Sequence, residues 1–395
     1  MSKFKLRPLI ILFVMSLTLY GWVGFSQATK PTVRLSAQPP LSQILPFEAE
    51  ATAPQSPVKL TLQAVDAAGK ALENAQIHLT ILTPPKTPWF PTDFPIVEGT
   101  KLLDIEANAP KGELQIQQML PIRGTYQLLV NVTPIVKDAF APIQQTLTLS
   151  VPENWIKYRN FSIVVAILLL VGLAGGWIIG GEQKIQLGEI APQRVRLLLS
   201  AAIVVAIASL LCLNISSEIA QSQMSMPASH FSHHTAKPDN SGIVETQGFR
   251  VQLSKDISAT VGKLANFQLQ VIDTQTNQPA TNLKFNIKAT ALENQWIAFA
   301  SQNLPDTGGK IAWQQQFFDG TPHQIEIEVA PQSNAKRQFS PFLISQEIDV
   351  EAVAPPLVVR LIVLSYFTSI ILVGLMLGMW LQRRRVSLLL LTNRY

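Results

Sequence analysis

The sequence predicts a membrane protein in which two all-β, immunoglobulin-like sandwiches stand on three to four transmembrane α-helices. Three observations predict this fold class. Of the 395 residues, 47% are hydrophobic and only 14% are charged, whereas soluble proteins carry about 25% charged residues. Four apolar stretches without charge are long enough to span a bilayer. Two long segments lie between these stretches, and in both of them apolar and polar residues alternate as in half-buried strands.

The apolar stretches divide the chain. Residues 1–29 join a basic start to an apolar stretch and to Ser26-Gln27-Ala28, a small-x-small cleavage pattern. They predict either a signal peptide or an N-terminal transmembrane anchor, and both alternatives stay open. Residues 160–181, 197–217 and 358–382 predict transmembrane helices, because lipid offers no hydrogen-bond partners to an open backbone.

The basic residues set the orientation of these spans. They are concentrated at the N-terminus, in the connector 182–196 and in the tail 383–395, so we expect these regions to be cytoplasmic. The segments 30–158 and 245–356 then face the periplasm or an equivalent lumen, and the linker 218–244 precedes the second of them. We therefore expect a bacterial inner membrane, or an internal membrane, with both large segments extracytoplasmic.

The net charge of +5 does not indicate nucleic-acid binding. Residues 30–156 carry 9 basic and 11 acidic residues, and residues 218–356 carry 9 basic and 13 acidic residues. The excess of positive charge therefore flanks the apolar stretches, where it determines topology. Cys212 is the only cysteine, so an intrachain disulfide is excluded.

The two external segments show strand patterns in the same order. In the first, residues 58–65 alternate between apolar and polar and precede a turn that contains Gly69; in the second, residues 266–273 have the same pattern. Further strands are predicted at 75–82, 112–117, 124–132 and 144–151 in the first segment, and at 283–289, 309–314 and 324–331 in the second. This order predicts one unit of span, sandwich and span that occurs twice, although a shared β pattern can also arise without duplication.

The first segment resembles a known family. The run VDAAGKALENAQI at 65–77, followed by GTYQLLV at 124–130, resembles the YtkA-like and FixH-like membrane-anchored immunoglobulin-like domains of bacteria. In the second segment the likeness is weaker, with DTQTNQP at 273–279 and TPH at 321–323. The resemblance implies an extracytoplasmic accessory domain, linked in some relatives to copper handling or oxidase assembly, and it does not imply catalysis.

The linker 218–244 contains a candidate metal site. Its run MSMPASHFSHH holds three of the five histidines and two of the seven methionines of the chain. Thioether sulfur suits Cu(I) and imidazole also accepts Cu(II), so copper is the one cofactor that the sequence suggests. The alternative is a polar tether whose histidines bind nothing. The candidate ligands are Met224, Met226, His230, His233 and His234.

The loop 83–95 is rich in proline and aromatic residues. It holds five prolines together with Trp89, Phe90 and Phe94, and the second segment has no equivalent. Rigid loops with exposed aromatic residues make good anchors for a protein partner. Two other interpretations stay open: the aromatic side chains cover the end of the sandwich core, or they lie in the membrane interface, where Trp is enriched.

Two pairs of glycines lie in the spans. Gly172-x-x-x-Gly176 and Gly374-x-x-x-Gly378 fit the small-xxx-small pattern of closely packed helices. They predict either packing within this chain or docking of another membrane protein.

The sequence contains no nucleophile elbow, phosphate-binding loop or metalloprotease motif. His78, Asp104 and Glu106 are expected to be solvated strand residues, and His323 is expected to have no function. We therefore expect a non-enzymatic accessory or scaffold protein that presents both sandwiches to a protein partner in the membrane or periplasm. The alternative is a copper-binding or metallochaperone-type membrane protein.

Overall fold

The computed structural model describes residues 30–48, 55–87, 89–181, 192–200, 202, 243–256, 258–306 and 308–392. Within them the chain forms a β body and two long helices, α1 (Trp155–Ile179) and α2 (Leu357–Thr392). The described residues of 30–153 are the first half of the β body, and those of 243–356 are the second half. The strands are β1 (Thr32–Gln38), β2 (Val58–Val65), β3 (Ala75–Leu82), β4 (Lys101–Ala109), β5 (Glu113–Gln118), β6 (Gly124–Pro134), β7 (Ile143–Val151), β8 (Ile243–Thr246), β9 (Phe249–Lys255), β10 (Ala259–Thr260), β11 (Leu264–Asp273), β12 (Gln278–Pro279), β13 (Leu283–Ala291), β14 (Ile297–Asp306), β15 (Lys310–Gln316), β16 (His323–Pro331), β17 (Phe342–Ile348) and β18 (Val350–Glu351).

The strands follow the alternation in the sequence. In β2, every second side chain from Val58 is buried and the intervening ones are at least partly exposed, up to Gln63. The turn after β2 is closed by the Asp66 carboxylate, which accepts hydrogen bonds from the backbone N–H groups of Ala68 (2.8 Å) and Lys70 (2.9 Å). Gly69 adopts a φ of 84° in this turn, which L side chains rarely reach. The predicted strands of both halves are confirmed.

The strands form two large sheets that both run through the two halves. Sheet 1 has the order β1-β2-β5-β14-β13-β16-β17, and sheet 2 has the order β7-β6-β3-β4-β15-β11-β9-β8, with β12 paired to β11. The first half thus contributes three strands to sheet 1 and four to sheet 2, the division of an immunoglobulin-like sandwich into two layers. The second half contributes four strands to sheet 1 and five, including the short β12, to sheet 2.

Two pairs of strands join the halves. At the sheet-1 joint, β5 pairs with β14 and Gln117 lies opposite Ala300. At the sheet-2 joint, β4 pairs with β15 and Asp104 lies opposite Gln314. Both joints are antiparallel, so backbone hydrogen bonds continue from one half into the other. The joints cover the edge strands β5, β14, β4 and β15, whereas β1, β17, β7 and β8 remain at the edges of the two sheets.

The order of strand pairing is the same in the two halves. In the first half, β2 lies between β1 and β5, and β3 lies between β4 and β6; in the second, β11 lies between β9 and β15, and β13 lies between β14 and β16. Duplication of one unit stays a prediction, because unrelated sandwiches also share strand orders.

The core is also continuous across the halves. The buried apolar side chains of both halves belong to one cluster. Phe47 of the first half contacts two aromatic rings of the second half, Trp296 at 4.8 Å and Phe318 at 5.1 Å between ring centroids. Burial of such large rings is a main source of folding free energy, so each half stabilises the other.

The two helices leave the β body next to each other. Helix α1 begins four residues after the end of β7, and α2 begins six residues after the end of β18. By length and composition both can cross a membrane, with mean hydropathies of 2.6 and 2.3 in their most apolar windows. Each overlaps one of the predicted spans, 160–181 or 358–382.

The glycine pairs pack α1 against α2. A Cβ atom on Gly172 would collide with the carbonyl oxygen of Ile371, and one on Gly176 would collide with that of Leu375. A Cβ on Gly378 would likewise collide with the carbonyl oxygen of Leu173. The prediction of packing within this chain is therefore confirmed, and both helices run in the same direction because the residue numbers at these contacts rise together.

Some predicted boundaries differ from the observed ones. Helix α1 begins at Trp155, inside the segment predicted as sandwich, because the Asn154 side chain caps it by accepting a hydrogen bond from the Ile156 N–H (3.0 Å). Helix α2 continues to Thr392, through the predicted tail. Strand β8 begins at Ile243, inside the predicted linker. Residues 1–29 and most of the predicted span 197–217 lie outside the described residues.

Candidate functional site

The sheet-2 joint carries a groove that neither half could form alone. It has a volume of about 360 Å³ and opens to solvent. The strands β3 and β4 supply one wall, while β9, β11 and β15 supply the other. Its lining residues are His78, Asp104, Glu106, Ser254, Lys255, Asp256, Asn266, Phe267, Gln268, Ala312, Trp313 and Gln314, and we call this set the junction groove.

A histidine–carboxylate pair forms the first wall. His78 Nε2 lies 2.6 Å from Asp104 Oδ1, and Lys101 Nζ donates to Asp104 Oδ2 at 3.0 Å. Burial alone would raise the pKa of Asp104, but the hydrogen bonds and charges of His78 and Lys101 outweigh it and lower that pKa. The expectation of a solvated carboxylate is therefore corrected for Asp104, whose side chain is 18% exposed.

The opposite wall is fixed by its own hydrogen bonds. Asp256 Oδ2 accepts from the backbone N–H (2.8 Å) and from the side chain (3.1 Å) of Asn266. The Gln314 side chain donates to Asn266 Oδ1 at 2.7 Å. Lys255 donates to the backbone oxygen of Glu347. Burial lowers the pKa of Lys255, and the nearby acidic groups only partly offset this.

The junction groove presents polar groups of both halves to solvent. Its polar atoms come from both halves and already hold one another, so they present a prearranged set of donors and acceptors to an extended or polar ligand. Among the described residues, no group of three or more His, Cys, Asp or Glu side chains is placed to hold a metal ion. In the described part of the chain, no serine, threonine or cysteine side chain is hydrogen-bonded to the His78 imidazole, where it could act as a nucleophile.

The loop 83–95 divides its aromatic residues between two places. Phe94 packs onto the core, with its ring 6.0 Å from Phe47 and 5.3 Å from Phe318. Trp89 and Phe90 point out of the β body and are 70% and 66% exposed. The structure therefore places Phe94 in the position of core cover, whereas binding of a protein partner by Trp89 and Phe90 stays a prediction.

His323 is placed differently from the expectation of an uninvolved turn residue. It begins β16 with 0% exposure, and its ring packs against Trp296 and Phe317. Its Nδ1 lies 2.7 Å from the backbone oxygen of Thr321, while its buried Nε2 has no hydrogen-bond partner among the described residues. Burial lowers the pKa of His323 to about 4, although the bond to Thr321 raises it slightly.

The corresponding corner of the first half holds Tyr126. Its hydroxyl donates to the backbone oxygen of Ile122 (2.7 Å) and accepts from the Ile122 N–H (3.0 Å). A tyrosine that bonds back to the chain just before its own strand is a tyrosine corner, a hallmark of immunoglobulin-like sandwiches. The GTY motif in the sequence thus has a structural role.

Sequence reasoning missed the buried glutamines at both joints. Gln118 on β5 and Gln315 on β15 are 0% and 1% exposed. Each side chain donates to the backbone oxygen of the next residue, Met119 (3.0 Å) or Gln316 (2.9 Å). Gln118 also donates to Ala298 of the other half at 3.1 Å. The available signal was a Gln-Gln pair that interrupts the alternation of both strands at the same distance from a preceding glycine.

The five candidate copper ligands lie outside the described residues. Copper binding by Met224, Met226, His230, His233 and His234 therefore stays a hypothesis from the sequence.

Comparisons with known proteins give no family. No family model matches the chain, and no curated protein matches it. Among solved structures, it is similar to invasin, a bacterial integrin-binding protein (8% identity, TM-score 0.19), over 82% of this chain and 40% of that one. It is also similar to domains 1–6 of the surface layer protein SbsC (11%, 0.18), over 83% and 29% of the two chains. For the adhesin InvE of Yersinia pseudotuberculosis (10%, 0.19) the shares are 82% and 61%.

These likenesses carry no argument about fold or function, because identities and TM-scores are both low. The chain spans less than half the length of the invasin and SbsC structures. The description of the fold therefore rests on the strand pairings themselves.

Proposed function

We propose that this protein is a non-enzymatic membrane scaffold that holds one rigid β body at the outer face of a bacterial inner or internal membrane and offers it to a protein partner. The observation that carries the proposal is the continuity of both sheets across the halves. Since backbone hydrogen bonds and a shared core link the halves, the body can present a surface of fixed shape. Two parallel helices packed through glycines would fix that body to the membrane.

The junction groove is the surface that we assign to the partner. Because it is built from both halves, it exists only when the body is intact, which suits a scaffold that must hold its partner in one orientation. Its lining contains three carboxylates, Asp104, Glu106 and Asp256, and one lysine, Lys255. A basic or hydroxyl-rich segment of a protein partner would therefore complement it.

Site-specific photo-crosslinking in living cells tests this proposal. A photoreactive amino acid at Gln268, in the groove, should give one discrete protein adduct. The matched control is Val136, which is exposed between β6 and β7 and should give none. Absence of any adduct from Gln268 and other groove positions, or equal adducts from Val136, would contradict the assignment.

The orientation can be tested in the same cells. With Cys212 changed to serine, a cysteine at Ser254 should react with a membrane-impermeant maleimide from the outside. A cysteine placed in the tail 383–395 should react only after the membrane is opened. The reverse pattern would contradict an extracytoplasmic β body.

Copper binding by the linker 218–244 is a second candidate function, and the clustering of its methionines and histidines favours it. Titration of the full-length protein with Cu(I) and Cu(II), beside a variant with all five ligands changed to alanine, tests it. Stoichiometric binding that is lost in the variant would establish the site, and identical curves would eliminate it.

A further inference from the structure

The tip of loop 83–95 contacts the apolar part of α2. The Tyr366 hydroxyl donates to the backbone oxygen of Trp89 at 2.5 Å, and the Tyr366 ring stacks on Phe90 with 5.9 Å between centroids and 13° between planes. Tyr366 lies six residues beyond Arg360, the last charged residue before the uncharged stretch of α2. This is about 9 Å along the helix axis, so the tip reaches past the start of the predicted span.

Charged groups on the side of the β body hold the loop in this position. Arg123 Nη2 donates to the backbone oxygen of Phe90 at 3.1 Å, and Arg123 also pairs with Glu153 at 2.5 Å. Lys157, in the first turn of α1, pairs with Asp93 of the loop. The loop is therefore braced against both helices, with its polar contacts at the body side and Trp89 and Phe90 beside the apolar side.

Two levels of aromatic and basic residues lie along the helices. On the body side, Trp155 and Tyr158 of α1 are exposed next to Lys157 and Arg159. At the far end, the guanidinium of Arg384 lies over the Trp380 ring at 4.1 Å. Aromatic belts beside basic residues are typical of the two bilayer interfaces.

The spacing of these levels matches a bilayer. The interval from Arg360 to Arg383 is about 23 residues, or about 34 Å of helix. The hydrocarbon core of a bilayer is about 30 Å thick. The tip of loop 83–95 thus falls at the body-side interface.

We propose that Trp89 and Phe90 are seated in the lipid headgroup region and form a third attachment of the β body to the bilayer, beside α1 and α2. This inference rests on the membrane anchoring in the proposed function. The tip binds the lipid surface itself. The indole and phenyl rings lie in the apolar part of the interface, and Lys157, Arg159 and Arg360 contact anionic phosphates. A third attachment beside the two helices would restrict the tilt of the body relative to the bilayer.

Nitroxide quenching in vesicles tests this attachment. Full-length protein with Cys212→Ser receives one environment-sensitive fluorophore at Trp89→Cys, and is placed in vesicles of 3:1 phosphatidylcholine and phosphatidylglycerol. Lipids with the nitroxide at the headgroup should quench this fluorophore at least twofold more than lipids with the nitroxide near the chain ends. A fluorophore at Lys86→Cys, which leaves both aromatic side chains in place, should show the same preference more weakly.

Two control positions separate the possible outcomes. Val136→Cys, an exposed apolar position at the opposite end of β6, should show no quenching by either lipid. Leu170→Cys, exposed in the middle of α1, should be quenched best by the chain-end nitroxide. If Leu170 behaves so and Trp89 is not quenched, the third attachment is overturned while the anchoring stands.

Two further results would each contradict part of this account. If Leu170 is not quenched, the membrane anchoring itself fails. If Trp89 is unquenched in these vesicles, but shielded from aqueous iodide only in native membranes, the tip binds a protein and the lipid assignment is wrong.

Discussion

The two halves of the β body share one order of strands but place different side chains at the corresponding corner, at the start of β6 and of β16. Tyr126 of the first half binds the backbone of Ile122 through a buried hydroxyl with both hydrogen bonds satisfied. His323 of the second half is equally buried, yet its Nε2 has no hydrogen-bond partner in the part of the chain that the structure describes. The difference teaches that a sandwich corner requires a large buried ring more than any particular hydrogen bond. It also gives the second half a buried imidazole whose protonation is opposed by burial.

The largest expected effect comes from placing a charge in the buried core at the joints between the halves. Gln118→Glu and Gln315→Glu each place a carboxylate where burial is nearly complete, and an unpaired buried charge costs several kcal/mol. We expect a loss of about 3–5 kcal/mol in the free energy of unfolding at pH 7 for either variant.

The matched controls are their sequence neighbours, Gln117→Glu and Gln314→Glu, which are only half-buried and should lose less than about 1 kcal/mol. Urea unfolding of the full-length protein in detergent, followed by tryptophan fluorescence, measures all four. Equal losses at buried and half-buried positions would mean that the joints are open to solvent.

The next largest effect is the dependence of the free energy of unfolding on pH, which we expect from His323 of the second half. The folded-state pKa of His323 is about 4 and its ordinary value is 6.5, so the unfolded chain binds more protons between these pH values. Stability should therefore fall by about 3 kcal/mol as the pH drops from about 6.5 to about 4, and should be fully present above pH 6.5.

Urea unfolding at a series of pH values measures this slope. His323→Gln should remove that part of the slope, whatever it does to stability at pH 7. His78→Gln, at a histidine whose side chain is 44% exposed, should retain it. A slope that survives His323→Gln would assign the pH dependence to other groups.

The smallest effect concerns the corner of the first half. Tyr126→Phe keeps the ring but leaves the buried backbone groups of Ile122 without their partner, at a cost of about 1–2 kcal/mol. Tyr158→Phe, at an exposed position of α1, should change stability by no more than about 0.5 kcal/mol. If Tyr126→Phe changed stability as little as this control, the hydrogen bonds of the Tyr126 hydroxyl would not stabilise the corner. The corner would then depend on its buried ring alone, as the corner at His323 does.

The strands and helices could be predicted from the sequence because local patterns encode them. The alternation at 58–65 and the uncharged stretch at 160–181 each report on one element and its own environment. The joints could not be predicted in this way, because the period of a strand states which face is buried and not which strand lies beside it. Gln118 and Gln315 occupy the core-facing positions of their strands, and nothing in the local pattern says that these positions lie at a joint.

The candidate site was out of reach for the same reason. His78 and Asp104 lie 26 positions apart, and the other wall of the junction groove comes from residues beyond 250. Only the packing of the halves brings these walls together. By contrast, the loop 83–95 was visible in the sequence, because five prolines in thirteen residues are conspicuous without any partner.

The most direct test of the continuous β body is a disulfide across the sheet-1 joint. In Cys212→Ser protein, Gln117→Cys and Ala300→Cys lie directly opposite on β5 and β14, where the separation suits a disulfide. The control pair is Lys59→Cys with Ala300→Cys, on strands that flank β5 and lie about 10 Å apart. The account predicts that mild oxidation links the peptides 112–123 and 289–310 in the first variant and leaves the control pair reduced. Failure of the Gln117–Ala300 pair to form in folded, membrane-bound protein, or equal cross-linking of the control pair, would contradict a single β body built from both halves.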